Sequence, residues 1–188
     1  MTTGVVLYGA PAAGKDTVTQ ALISLGPFAH FERLKYGPGR STGYRMVDAD
    51  QLADVLATPG EVIWRDDRYG ATYLVDRSHV EQLVDAGRIP VLHLGNPQAV
   101  DAVTRALTTV SWFVVELHTT REVAQERIVA RSTGDTSARL SAYDSTPRLA
   151  ATDLSIDTGL VDVDTTAKTI AEALQQRGHT SGTTRVRA

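Results

Sequence analysis

Nine residues, Gly9-Ala10-Pro11-Ala12-Ala13-Gly14-Lys15-Asp16-Thr17, lie between the apolar run Val5-Val6-Leu7-Tyr8 and a stretch of helical periodicity. A glycine-framed turn from a buried strand into a helix lets several main-chain N–H groups converge on one point, because Gly9 and Gly14 can take backbone directions that side chains oppose. The helix that follows aims the positive end of its dipole at the same point. Such a turn is a cradle for a polyphosphate. Lys15 then reaches toward the outer phosphates, and a hydroxyl just inside the helix would hold a magnesium ion. Because Asp16 directly follows the lysine, that hydroxyl falls to Thr17. The nucleotide-binding set is therefore Gly9, Ala12, Ala13, Gly14, Lys15, Asp16 and Thr17, with ATP (or, on the loop alone, GTP) and Mg2+ as the implied cofactors.

With 188 residues, 42% of them apolar, the chain can bury one good core and is expected to form one domain. A net charge of −3 argues against wrapping nucleic acid, so the partner is expected to be a small molecule. There is no cysteine, which excludes disulfides and thiolate metal sites, and the five histidines lack zinc-ligand spacing. No basic leader precedes an apolar run, and no stretch reaches the ~18 apolar residues of a membrane span. These features predict a cytoplasmic enzyme without a membrane partner, either a monomer or a homodimer.

Short β-branched runs alternate with helical periodicity, the pattern of a parallel sheet with crossover helices. Strands are predicted over Val5–Tyr8, Pro90–Leu94, Trp112–Leu117 and Asp153–Asp157, and helices over Lys15–Ser24, Asp50–Ala57, Ser78–Ala86, Pro97–Leu107, Thr120–Arg131 and Thr165–Gln176. Ser78 with Glu81 and Thr119 with Glu122 have capping-box spacing, Pro97 suits a first helical position, and Gly87 suits a helix end. The fold class expected is α/β, a three-layer P-loop NTPase fold around a central parallel sheet.

Two intervals break the alternation. Residues 32–73 carry Arg33, Lys35, a turn-rich Tyr36–Tyr44 segment, a helix, and Val62–Gly70, and are expected to form a small mixed β subdomain that holds the acceptor. Residues 127–139 carry Arg127, Arg131 and Arg139 around Ser132-Thr133-Gly134-Asp135, the make-up of a mobile cationic lid. The core then comprises residues 1–31, 74–126 and 140–176, and residues 177–188 read as a frayed tail.

The run Gly60-Glu61-Val62-Ile63-Trp64 followed by Tyr69-Gly70-Ala71-Thr72, a helix and an apolar strand resembles guanylate kinases, over most of residues 4–165. Arg127-Ile128-Val129-Ala130-Arg131-Ser132-Thr133-Gly134 with Arg139 looks like that family's arginine lid. The resemblance implies catalytic roles for Lys15, Arg127, Arg131 and Arg139. It also implies that Tyr44 and Tyr69 hold the acceptor phosphate and that Arg33, Lys35 or Arg40 stand where the family's phosphate-binding arginines lie.

Guanine reading in that family uses a glutamate before the Tyr-Gly turn and an aspartate on the strand after it. Here those places read Ile63-Trp64-Arg65 and Val91-Leu92-His93-Leu94-Gly95-Asn96, so the acceptors for the guanine N1–H and 2-amino groups are missing. Lys15-Asp16-Thr17, Trp64 and Gly95-Asn96 are similar instead to the ribose 1,5-bisphosphate kinase branch, whereas Tyr69-Gly70-Ala71-Thr72 keeps the hydroxyl of guanylate kinases. The substrate-binding set implied is Arg33, Lys35, Arg40, Tyr44, Trp64, Tyr69, Thr72, His93 and Asn96. Of these, Trp64 and His93 could equally be core residues.

A phosphate acceptor is already anionic at pH 7, so arginines rather than a general base are expected to carry the chemistry. If the acceptor is an alcohol, a carboxylate is needed, and Asp48, Asp66 and Asp67 are available, although Asp48 also suits a helix start. A non-catalytic interaction module of guanylate-kinase type is the third reading, against which the intact Gly14-Lys15 and Thr17 count.

Overall fold

A computed structural model describes residues 2–68, 70–131 and 135–180, with side chains to residue 177. Strand β1 (Thr2–Tyr8) is central, and its alternation serves both faces: Val5 and Leu7 enter one core cluster while Val6 and Tyr8 enter the other. It pairs in parallel with β7 (Ile89–Leu94) on one side and β8 (Val110–His118) on the other. Strands β2 (Phe28–His30) and β9 (Leu154–Asp157) form the edges, giving a five-stranded parallel sheet of order β2-β7-β1-β8-β9.

Helices α1 (Lys15–Leu25) and α7 (Val163–Thr180) cover one face, where Val18 and Leu22 pack with Ala167, Ile170 and Leu174. On the other face α3 (Arg77–Asp85) and α4 (Pro97–Ala106) bring Val80, Ala99, Val100 and Val103 onto Leu92, Leu94 and Trp112. The result is the expected three-layer α/β arrangement, in which each buried aliphatic side chain contributes roughly 1.5–3 kcal/mol.

The first interval forms a mixed four-stranded sheet of order β4-β3-β6-β5, with a helix, α2 (Ala49–Ala57), between β4 and β5. Strand β3 (Arg33–Tyr36) pairs in parallel with β4 (Tyr44–Met46) and antiparallel with β6 (Ala71–Asp76), which pairs with β5 (Val62–Arg68). The small sheet thus runs three residues past the expected boundary at 73. Helix α5 (Arg121–Ala130) and α6 (Thr136–Ser145) flank residues 132–134.

Two helix starts fall one or two residues away from where the spacing suggested. Helix α3 is N-capped at Asp76, without a side-chain cap bond, so Ser78 lies inside it and donates to Glu61 instead. Thr120, not Thr119, caps α5 by accepting from the Val123 N–H. Pro97 does open α4, behind Asn96 as cap, and Gly87 follows the end of α3. The interval expected to fray also differs at its start: α7 continues to Thr180, and Arg177 donates to the Trp112 carbonyl at 3.0 Å and pairs with Asp153 at 3.1 Å. Residues 181–188 lie outside the described residues.

Candidate functional site

The loop of residues 9–14 leaves the carboxyl end of β1, between the ends of β7 and β8. A Cβ on Gly9 would stand 2.3 Å from the Leu117 carbonyl oxygen, so the neighbouring strand's approach admits no side chain there. Gly14 has φ of +89°, and Ala12 takes a left-handed φ of +64°, uncommon for a residue with a side chain. Lys15 folds over the loop it follows, donating from Nζ to the Gly9 and Ala10 carbonyls at 2.6 and 2.9 Å. Burial lowers its pKa to about 8; Asp16 opposes that shift, and Arg33, Arg68 and Arg131 add to it. The ammonium is therefore held where anionic charge would relieve it.

A cleft of about 720 Å³ opens over this loop. Its cationic lining is Lys15, Arg33, Arg40, Arg68, Arg131 and Arg139, against the carboxylates of Asp16, Asp66 and Asp135. Three of the cations have ion-pair partners within it: Arg40 with Asp16 at 3.4 Å, Arg68 with Asp66 at 2.9 Å, and Arg139 with Asp135 at 2.7 Å. The surplus is positive, so the cleft draws an anion. Tyr44 and Tyr73, ring centroids 5.3 Å apart, form its aromatic wall, with the Arg33 guanidinium 5.3 Å from the Tyr73 ring centre.

The expected acceptor residues divide between this cleft and other tasks. Arg33, Arg40, Tyr44, His93 and Asn96 line it. Asn96 also caps α4, accepting from the Gln98 N–H at 2.8 Å. Lys35 is buried at 1% exposure and donates to the Pro38 and Arg40 carbonyls, both at 2.7 Å, so its charge tethers the 37–40 turn from behind. Trp64 packs against the core cluster around Leu92. Thr72 pairs across from Asp67 and donates to its carboxylate, on the opposite face of the hairpin from Asp66, Arg68 and Tyr73. Tyr69 and Ser132 to Gly134 lie outside the described residues. Of the carboxylates considered for an alcohol acceptor, Asp48 is occupied in a capping box with Gln51 and Asp67 pairs with the exposed Arg65, leaving Asp66 in the cleft.

His93 is largely buried at the end of β7, its side chain 12% exposed, its Nε2 2.6 Å from Thr19 Oγ1 and its Nδ1 3.4 Å from Asp16 Oδ1. Burial is the main cause that lowers its pKa to about 4, with His30, stacked at 4.4 Å, and Lys15 adding to the effect. The ring is neutral at pH 7. The hydrogen bond from His93 is the chief cause holding the Asp16 carboxyl well below the usual carboxylate range, with Arg40 and Arg131 contributing charge.

Solved structures share this fold. A guanylate kinase from Anaplasma phagocytophilum matches at a TM-score of 0.59 and 19% identity, over 94% of this chain and 86% of that one. The APS kinase of Mycobacterium tuberculosis, in complex with AMPPNP and APS, matches at 0.55 and 13%, over 93% and 98%. A sugar kinase from a Janibacter species matches at 0.54 and 12%, over 93% and 95%. The chain has a P-loop kinase fold. No family model matches the sequence, and no curated protein matches it.

On this P-loop kinase fold a second, less polar cleft of about 360 Å³ lies on the other side of the loop, between Ala12, Val18, Ala130, Val161 and Val163. Thr17 opens onto this one and not the larger cleft, and its Oγ1 donates to the Gly14 carbonyl at 3.0 Å. Arg127 also belongs here: its guanidinium donates to the Ala12 carbonyl and to Thr158. Arg131 lines both clefts, at their junction. Sequence reasoning missed Arg68, Tyr73 and Thr158. Arg68 was detectable from the two-residue strand period once Asp66 was considered, whereas Tyr73 depends on the β5–β6 register and Thr158 carries no motif.

Proposed function

We propose that the chain is an ATP-dependent kinase that transfers the γ-phosphoryl group to a phosphate of a small acceptor, a nucleoside monophosphate or a pentose phosphate, in the manner of guanylate kinases. The convergence of Lys15 with Arg33, Arg40 and Arg68 from the small sheet and Arg131 and Arg139 from the α5–α6 region carries this reading. Transfer between two phosphates asks for alignment and charge stabilisation, which planar guanidinium forks supply, and for no proton abstraction.

The triphosphate would rest on the N–H groups of Gly14, Lys15 and Asp16, with its base in the smaller cleft, whose valine and alanine lining suits a planar ring. Arg131, at the junction of the two clefts, then stands beside the group in transit, and Arg33, Arg40 and Arg68 grip the acceptor phosphate. Bound with ATP, magnesium would neutralise charge on the β and γ phosphates. The carboxylate beside Lys15 is the kind of hard oxygen donor that ion takes. The APS kinase solved with AMPPNP and APS holds two ligands in a similar fold, which supports a two-cleft division here.

Asp66 favours a second reading, an alcohol acceptor whose proton this carboxylate would take. Its 2.9 Å pairing with Arg68 already occupies the carboxylate, which places this reading second. An ADP-release screen of nucleoside monophosphates, ribose 1,5-bisphosphate and free nucleosides separates the two. Turnover confined to the phosphorylated compounds is expected, and turnover confined to free nucleosides would replace it with the alcohol reading.

A further inference from the structure

Asp16 stands on the first turn of α1, directly after Lys15, and lines the larger cleft. Its two carboxylate oxygens have different neighbours: Oδ1 is 3.4 Å from His93 Nδ1, and Oδ2 is 3.4 Å from Arg40 Nη1. His93 is anchored from behind by Thr19 on the next turn of α1, a residue only 1% exposed. If the Thr19 hydroxyl donates to Nε2, the ring proton sits on Nδ1, the nitrogen facing Asp16. Helix α1 and strand β7 thus fix one oxygen of Asp16 through a single histidine.

In phosphate loops generally, the residue after the lysine gives a hydroxyl to the divalent cation that bridges the β and γ phosphates, and an acid on a neighbouring strand assists. Here the acid has moved to the helix, and a histidine takes the strand position: the end of β7 carries His93, which holds that acid. The nearby hydroxyl of Thr17 is turned to the Gly14 carbonyl and the smaller cleft.

We propose that Asp16, positioned by His93, is the side-chain ligand for the divalent cation of the bound nucleotide, and that the cation displaces Arg40 from it. This rests on the ATP-kinase reading above. A carboxylate is a stronger oxygen ligand for such a cation than a hydroxyl, but it also sets a negative charge beside the triphosphate. Metal-free nucleotide is then repelled and metal-bound nucleotide is held, so the loop discriminates between the two. Arg40 and Asp16 are each about half exposed, at 49% and 45%, and such a pair is readily exchanged for a divalent ion. Arg40, once displaced, remains in the lining of the cleft where the acceptor phosphate would lie.

Calorimetric titration with AMPPNP in Mg2+ and in EDTA tests this, the readout being the ratio of the two affinities. For Asp16→Ala the ratio should fall by about tenfold or more while affinity in EDTA is unchanged or higher. Asp16→Ser should recover part of the ratio, and Thr17→Val should leave it as in the wild type. His93→Gln, which keeps an N–H, should retain more of it than His93→Leu. A wild-type ratio in Asp16→Ala, or its loss in Thr17→Val, would overturn the assignment. If AMPPNP failed to bind the wild type in either buffer, the nucleotide reading itself would fall and this inference with it.

Discussion

Arg127 grips Thr158 by side chain and main chain together, donating from Nη1 to its hydroxyl at 3.0 Å and from Nη2 to its carbonyl at 2.7 Å. The same Nη1 reaches the Ala12 carbonyl at 3.0 Å, on the residue with the left-handed backbone. A charged donor to a carbonyl is worth about 1.5–3 kcal/mol. Arg127→Ala is therefore expected to lower stability by about that amount and to weaken ATP binding. Thermal melts and AMPPNP titration check it; a normal melting temperature would show that the brace is dispensable.

Arg131 and Arg139 should behave differently. Replacing either with alanine is expected to reduce kcat by about 2–4 kcal/mol of transition-state stabilisation, with little change in melting temperature. Kinetics on the acceptor found by the screen, set beside the melts, would reveal whether the two losses separate.

Lys15→Met is expected to abolish turnover and to stabilise the ligand-free protein by on the order of 1 kcal/mol, because an ammonium disfavoured by burial is removed. Urea denaturation of the ligand-free variant is the measurement. A less stable variant would mean that the bonds to Gly9 and Ala10 outweigh burial.

Lys35 predicts a loss felt at a distance. Lys35→Met leaves the Pro38 and Arg40 carbonyls without their donor and is expected to cost about 1–3 kcal/mol. Since Arg40 then loses its tether, the acceptor KM should rise while AMPPNP affinity stays constant. An unchanged KM would detach the 37–40 turn from acceptor binding.

His79 contributes to the pH dependence alongside His93 and His30, whose pKa values burial also lowers. Burial, with Arg45 adding charge, lowers the His79 pKa below 6.5 in the folded chain, where it packs on Phe31 at 5.1 Å. As pH falls through the unfolded value the unfolded state takes up the proton first, so stability declines from about 6.5 downward. His79→Phe should show a shallower decline between pH 7 and 5 in urea melts. An identical slope would assign the acid sensitivity to other groups.

The parallel sheet and the glycine-framed turn from β1 into α1 were legible because their signals are local: alternation in β1, and two glycines at fixed spacing. The small sheet was legible only as an interval. Its register decides which residues share a face, and a single step of parity puts Thr72 against Asp67 and brings Tyr73 into the cleft instead. Lys35 looked like its arginine neighbours because sequence carries no signal for burial behind a turn. Asp16 and His93 lie 77 positions apart and meet only through the β1–β7 pairing, which no spacing rule reports.

That pairing also orders events during synthesis. Thr2 finds its partner at Val110, so β1 has no finished surroundings until β8 has been made. Long-range parallel pairing closes slowly. The amides of β1 should therefore be among the later ones of the sheet to become protected against hydrogen exchange during refolding.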